Sequence, residues 1–163
     1  MIYPMRNCPL GTSWSARSKR GVARVFLDTN VFLYAVGAEG PHRQSCRDVL
    51  VAVGEGRIEG LTSSEVLQEI LHVRSRRLGQ PDAMAAVQAA AALVADVLPV
   101  SRADVLFACD VLDRHPRLNA RDAIHLAVMA GAELDTIVSV DTHFDGLVGV
   151  RRLDPSQVQS VHR

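Results

Sequence analysis

From Val22 onward the chain alternates short apolar runs with amphipathic helical stretches, and that rhythm admits few folds. Runs at 25–27, 60–62, 97–100, 136–140 and 148–153 have the length and apolar character of strands. Helical patterns fill the gaps at 30–36, 41–53, 64–78, 80–94, 101–115 and 120–130. The start and stop signals agree with this division. Thr62-Ser63-Ser64-Glu65 and Ser101-Arg102-Ala103-Asp104 read as capping boxes, Asn119 as a helix cap, and Gly79 and Gly131 as stops. Strands joined by helices pair in parallel, and a parallel sheet must be covered on both faces. The expected class is therefore α/β with a central, mostly parallel sheet. Ligands of such sheets lie outside the carboxyl ends of the strands.

Two acids fall at such ends. Asp28 interrupts VFLDTNVFLYAV between two segments that both want burial, and Asp141 follows the apolar run TIVSV. A buried charge costs several kcal/mol or more unless it is paired, hydrogen-bonded or metal-bound. Two further acids meet apolar surface. On the helix of 64–78, Val66, Ile70 and Val73 define the apolar face; Glu69 lies at its border, while Glu65 lies further toward solvent and completes the capping box. Asp122 is the third residue of the helix NARDAIHLAVMAGA. Each acid alone has a plain structural explanation, as a helix cap or as a carboxylate at a positive helix end. Four of them from four segments make a cluster whose members would repel one another. A hard divalent cation such as Mg²⁺, which takes several carboxylate oxygens, would neutralise it.

The stretches FLDTNVFLYAV, TSSEVLQEILHV, LNARDAIHLAVM and IVSVDTHFDGL, in this order and spacing, resemble the PIN-domain ribonucleases, and more narrowly the VapC-type toxins of bacterial toxin–antitoxin pairs. The likeness spans roughly residues 22–155. It implies a three-layer α/β/α sandwich, a Mg²⁺- or Mn²⁺-dependent endoribonuclease acting on RNA, a VapB-like antitoxin as partner, and a homodimer in the cytoplasm. It also implies that Asp28, Glu69, Asp122 and Asp141 are catalytic, with Asp28, Asp122 and Asp141 as metal ligands and Asn30 orienting Asp28. Arg121 is a candidate for contact with an RNA phosphate or an antitoxin carboxylate. Asp145 could support a second ion or simply cap the loop before Gly146.

Other features carry less. His125 could touch substrate near the site or be a hydrogen-bonded core histidine; His72 and His143 lack zinc-ligand spacing with a third ligand. Arg74, Arg76 and Arg77 form the main basic run of the body, readable as an RNA contact or a solvated face. A haloacid-dehalogenase-like phosphatase would also begin with a strand-end Asp, but would want a second Asp where Asn30 stands.

Charge is uneven. Residues 1–24 carry five basic side chains and no acid, whereas residues 25–163 hold 13 basic and 18 acidic ones. An acidic body is not a simple phosphate-gripping module. Cys8, Cys46 and Cys109 are too few and too scattered for a disulfide framework or a zinc site. No apolar run approaches the ~20 residues that span a bilayer. Residues 1–21, rich in Pro, Gly, Ser and Arg, are expected to be a disordered extension, readable as a start codon assigned too far upstream or as a basic arm for RNA. Residues 22–155 are expected to be the nuclease domain and 156–163 a tail. A housekeeping PIN nuclease and a catalytically silent binding module are the competing readings.

Overall fold

The structure, a computed structural model, describes residues 22–162. The expected extension at 1–21 lies outside the described residues. Five strands form one sheet: β1 Arg24–Leu27, β2 Glu59–Ser63, β3 Asp96–Leu98, β4 Thr136–Val138 and β5 Arg151–Leu153. Their order is β3-β2-β1-β4-β5 and every pairing is parallel. Six helices connect them: α1 Thr29–Val36, α2 Arg43–Gly54, α3 Ser64–Leu78, α4 Gln80–Leu93, α5 Arg102–Arg114 and α6 Ala120–Gly131. Helix α1 packs on α2, α3 packs on α4 and α5 pairs with α6, and the sheet lies between as the middle of three layers.

The central strands are buried because they are apolar at consecutive positions. Phe26, Leu27, Ile137 and Val138 are fully enclosed, as residues of a parallel strand covered on both faces must be. Gly60, on β2 beside β1, is needed for close approach: a Cβ there would stand 2.9 Å from both Leu27 Cδ1 and Val53 Cγ2. Gly60→Ala should therefore overpack the contact between the sheet and α2 and destabilise the protein by about 1–3 kcal/mol. A chemical denaturation midpoint unchanged in that variant would show that the two side chains give way freely.

The strand order reverses at β1. The chain proceeds outward from β1 through β2 to β3, then returns to place β4 on the other side of β1. The loops leaving β1 and β4 therefore diverge above the sheet and open a crevice at its carboxyl edge. The backbone ties the two strand ends together there, with Asp28 N–H donating to the Val138 carbonyl at 3.2 Å.

Some sequence expectations need correction. Helix α3 is capped by Ser63, whose hydroxyl accepts from Val66 N–H, and not by Thr62. Thr62 points inward and donates to the Leu27 carbonyl at 3.0 Å. The Thr62–Glu65 capping box is thus absent, because Thr62 still belongs to β2 and its hydroxyl is spent on the neighbouring strand. Helix α6 runs through Gly131, and the left-handed turn falls on Glu133 (φ +56°). Residues set apart as a tail include a 3₁₀ helix, Pro155–His162, which packs on α2 and buries Val158.

Candidate active site

Asp28 follows β1 and caps α1: its Oδ1 accepts from Thr29 N–H at 2.7 Å. Its Oδ2 accepts from the Ser139 hydroxyl at 2.6 Å and from Asn30 Nδ2 at 2.5 Å. Only 7% of the residue is exposed. Burial is the main reason its carboxyl is pushed up to about 6; the hydrogen bonds from Ser139 and Thr29 work against that shift, and the charges of Glu69 and Asp141 add to it.

Ser139 links the crevice together. Besides Asp28 it contacts Asn30, accepting from Nδ2 at 2.9 Å, and it accepts the Asp141 N–H at 2.9 Å. The carbonyl of the Asn30 side chain in turn accepts from Val140 N–H. The Asx pair from β1–α1 and the segment after β4 are thereby fixed to each other.

Asp122 enters from α6. Asn119 caps that helix through Arg121 N–H and Asp122 N–H, and Asp122 Oδ2 accepts back from Asn119 N–H at 3.3 Å, a reciprocal capping box. Asp122 is buried, and burial first, then the charges of Asp141 and Asp28, raise its carboxyl above the ordinary range. Asp141 caps the short 3₁₀ turn Thr142–Phe144 by accepting from His143 N–H. The His143 imidazole bridges the two acids, with Nδ1 3.2 Å from Asp141 Oδ1 and 3.7 Å from Asp122 Oδ2.

Glu69 reaches the same crevice from α3. Its Oε2 accepts from the Thr29 hydroxyl at 2.8 Å, and its Oε1 is ion-paired with Arg121, whose side chain is half exposed. The register of α3 therefore turns Glu69 inward to meet the start of α1.

A family model for the PIN domain matches residues 25–149. Ribonuclease VapC13 of Mycobacterium tuberculosis is 38% identical over 133 residues, covering 79% of this chain and 98% of that protein. Ribonuclease VapC7 of the same organism is 36% identical over 132 residues, covering 80% and 91%. The chain belongs to the PIN-domain family of VapC ribonucleases. Its fold is similar to the crystal structure of M. tuberculosis VapC20, described as a sarcin–ricin loop cleaving toxin, with TM-score 0.62, 25% identity, and coverage of 78% of this chain and 98% of that one. DNA-bound VapBC from Salmonella typhimurium shares the fold at TM-score 0.62 and 17% identity, over 81% of this chain and 98% of that one.

In this VapC-family chain, Asp28, Asp122, Asp141, Glu69, Asn30 and Arg121 meet in one crevice, through the contacts given above. Asp145 is engaged elsewhere. It forms a two-pronged ion pair with Arg152 (2.6 and 3.1 Å), which holds its carboxyl below the usual range. Of the basic run, Arg74 is tied to Asp82 at 2.6 Å, while Arg76 and Arg77 are exposed.

Two participants escaped sequence reading, Ser139 and Thr29. Each is a small hydroxyl beside an Asp-containing motif, SVD and DTN, and that adjacency was the available signal. The apolar run 136–140 places Ser139 in the strand; β4 instead stops at Val138, and the Ser139 hydroxyl turns toward Asp28.

Among the described residues, no group of three or more His, Cys, Asp or Glu side chains stands close enough to hold a metal ion as now arranged. Arg121 on Glu69 and His143 between Asp122 and Asp141 occupy these acids instead. The chemistry of the donor set nonetheless fits a hard divalent cation. Its donors are carboxylate oxygens, and beyond the effect of burial the charges of Glu69 and Asp141 raise the Asp28 carboxyl and those of Asp141 and Asp28 raise that of Asp122, an effect a bound cation would offset.

Proposed function

We propose that this crevice is the active site of a Mg²⁺- or Mn²⁺-dependent endoribonuclease that acts as a toxin and is silenced by a VapB-like antitoxin. One observation carries the reading: at the switch point of the sheet, two carboxyls, Asp28 and Asp122, are both held above their ordinary range, first by burial and then in part by the charge of Asp141. Nothing in the folding of an α/β domain calls for that expense, whereas cation binding does. The names of the relatives, ribonucleases and a loop-cleaving toxin, point the same way.

Asp28, Asp122 and Asp141 would hold the ion, with Glu69 direct or through water. When bound, the cation supplies Lewis-acid polarisation of the phosphodiester and of the attacking water. The chain's own residues do the rest. Ser139, Asn30 and the Thr29 amide hold the Asp28 carboxylate in place before any ligand arrives. Arg121, half exposed at the lip, suits an RNA phosphate. It would have to leave Glu69 to meet one.

An antitoxin partner is suggested by related folds solved as toxin–antitoxin complexes, among them one from Klebsiella pneumoniae. A mostly apolar groove lined by Ala35, Val36, Leu50, Val51 and Leu93, with Arg47 among them, is surface that its amphipathic segment would cover. A homodimer and a cytoplasmic location complete the proposal. No helix among the described residues is long and apolar enough to cross a membrane.

The test is cleavage mapping on total RNA with purified protein, with Mg²⁺ or Mn²⁺ and with EDTA. Discrete cuts that EDTA abolishes are expected, together with a rise in melting temperature on adding Mn²⁺ that Glu69→Gln diminishes and Glu65→Gln does not. Cuts that persist in EDTA would remove the metal from the mechanism. Failure to cut any RNA, together with harmless expression in the absence of a partner, would favour a silent binding module.

A further inference from the structure

His125 lies on α6 one turn beyond Asp122 and is 1% exposed. Its ring packs against Phe26, with centroids 5.5 Å apart. Its Nε2 faces Asp28 Oδ1 at 3.7 Å, and its Nδ1 is buried without any hydrogen-bond partner. An unpartnered buried polar atom is destabilising, because it gives up its hydrogen bonds to water and gains none. A leucine would fill much of this space without that cost, so packing alone does not account for an imidazole here.

The geometry decides which nitrogen donates. An imidazole with a single N–H can carry it on either nitrogen. On Nδ1 that hydrogen would have no acceptor, and the bare Nε2 lone pair would face a carboxylate oxygen. On Nε2 it sits on the atom that lies 3.7 Å from Asp28 Oδ1, and the atom left without a partner is only an acceptor. At 3.7 Å the contact is electrostatic and not a formed hydrogen bond. A small displacement of either group would close it.

We infer that His125 is a positioning residue that directs its Nε2–H at Asp28 and so orients that carboxylate for cation binding. The inference rests on the metal-dependent reading above. Asp28 Oδ2 already accepts two side-chain hydrogen bonds, whereas Oδ1 accepts only the Thr29 amide. His125 lies on the Oδ1 side, where a second donor would fix the carboxylate plane. Its role is of the kind that outer groups play toward metal-binding carboxylates, whose loss typically costs 10- to 100-fold in affinity.

The experiment measures Mn²⁺ affinity by calorimetry, and melting temperature in EDTA, for the wild type, His125→Leu and His125→Gln. The glutamine amide extends about as far as Nε2 and can donate to Asp28; leucine cannot. His125→Leu should bind Mn²⁺ at least about tenfold more weakly with its melting temperature in EDTA unchanged or raised. His125→Gln should recover most of the affinity. A purely structural histidine would give the opposite ranking, with stability lost and affinity kept. Should the leucine variant fail to fold, His125→Asn replaces it, because the shorter amide stops short of Asp28. Equal affinity in the glutamine variant and its non-donating counterpart overturns the inference. Wild-type affinity in His125→Leu does so too, while leaving the metal reading intact. No Mn²⁺ binding by the wild type overturns both.

Discussion

Asp28→Asn is expected to abolish RNA cleavage, by at least about a hundredfold, while making the metal-free protein more stable at pH 7.5. The two effects have one origin. The Asp28 carboxyl titrates near 6 in the folded protein against 3.8 for the free side chain, chiefly because it is buried. A raised value means the folded state prefers the protonated acid. The associated stability is fully present below about pH 4 and is lost as pH rises through about 6. A shift of this size corresponds to about 3 kcal/mol. Asparagine avoids the ionisation but meets the Asn30 amide with a donor of its own, so a net gain of about 1–2 kcal/mol is reasonable. In a chain of this length each kcal/mol moves the melting temperature by about 2–4 °C. Thermal unfolding in EDTA at pH 4 and pH 7.5 checks it: wild type should lose stability between the two relative to Asp28→Asn. If the variant is less stable than wild type at pH 7.5, the carboxylate is not under the strain described here.

Ser139→Ala is the second large effect. The hydroxyl donates to Asp28 and accepts from Asn30 and from the Asp141 amide, and the residue is fully buried. Alanine leaves two donors without an acceptor, and Asp28 without its short bond. The stability loss should be about 1–3 kcal/mol. Cleavage should fall by roughly 10- to 100-fold, as when any outer support of a metal-binding carboxylate is removed. The direction of the pH effect is also fixed. The Ser139 hydrogen bond lowers the Asp28 carboxyl, so its removal raises that carboxyl further. The acidic limb of the rate profile should therefore move to higher pH. An unmoved limb with reduced activity would show that Ser139 matters only through packing.

Much of this molecule is legible without coordinates. Alternating apolar runs and helices dictate a parallel sheet, because strands too apolar to face water need a helix layer on each side. The position of an acid directly after a strand then places Asp28 at the carboxyl edge, and the α3 periodicity turns Glu69 toward the start of α1. Local pattern also predicts the caps at Asn119 and Ser101, since a cap is a contact between residues three apart. It fails at Thr62, where a hydroxyl with a good local partner finds a better one on β1, 35 residues away.

What the sequence could not supply is which loops meet. The order β3-β2-β1-β4-β5 brings β4 beside β1 across more than a hundred residues, and only that adjacency lets Ser139 bond Asp28 and Asn30. Asp145 and Arg152 illustrate the same point in reverse. Asp145 stands four residues from Asp141 in sequence, yet the pairing of β5 with β4 delivers Arg152 to neutralise it. The depth of Asp28, and with it the elevation of its carboxyl, is likewise a property of the packed layers. Periodicity along one element reports which face is apolar; desolvation depends on everything that covers that face, which is settled only when the sheet and its helices close around it.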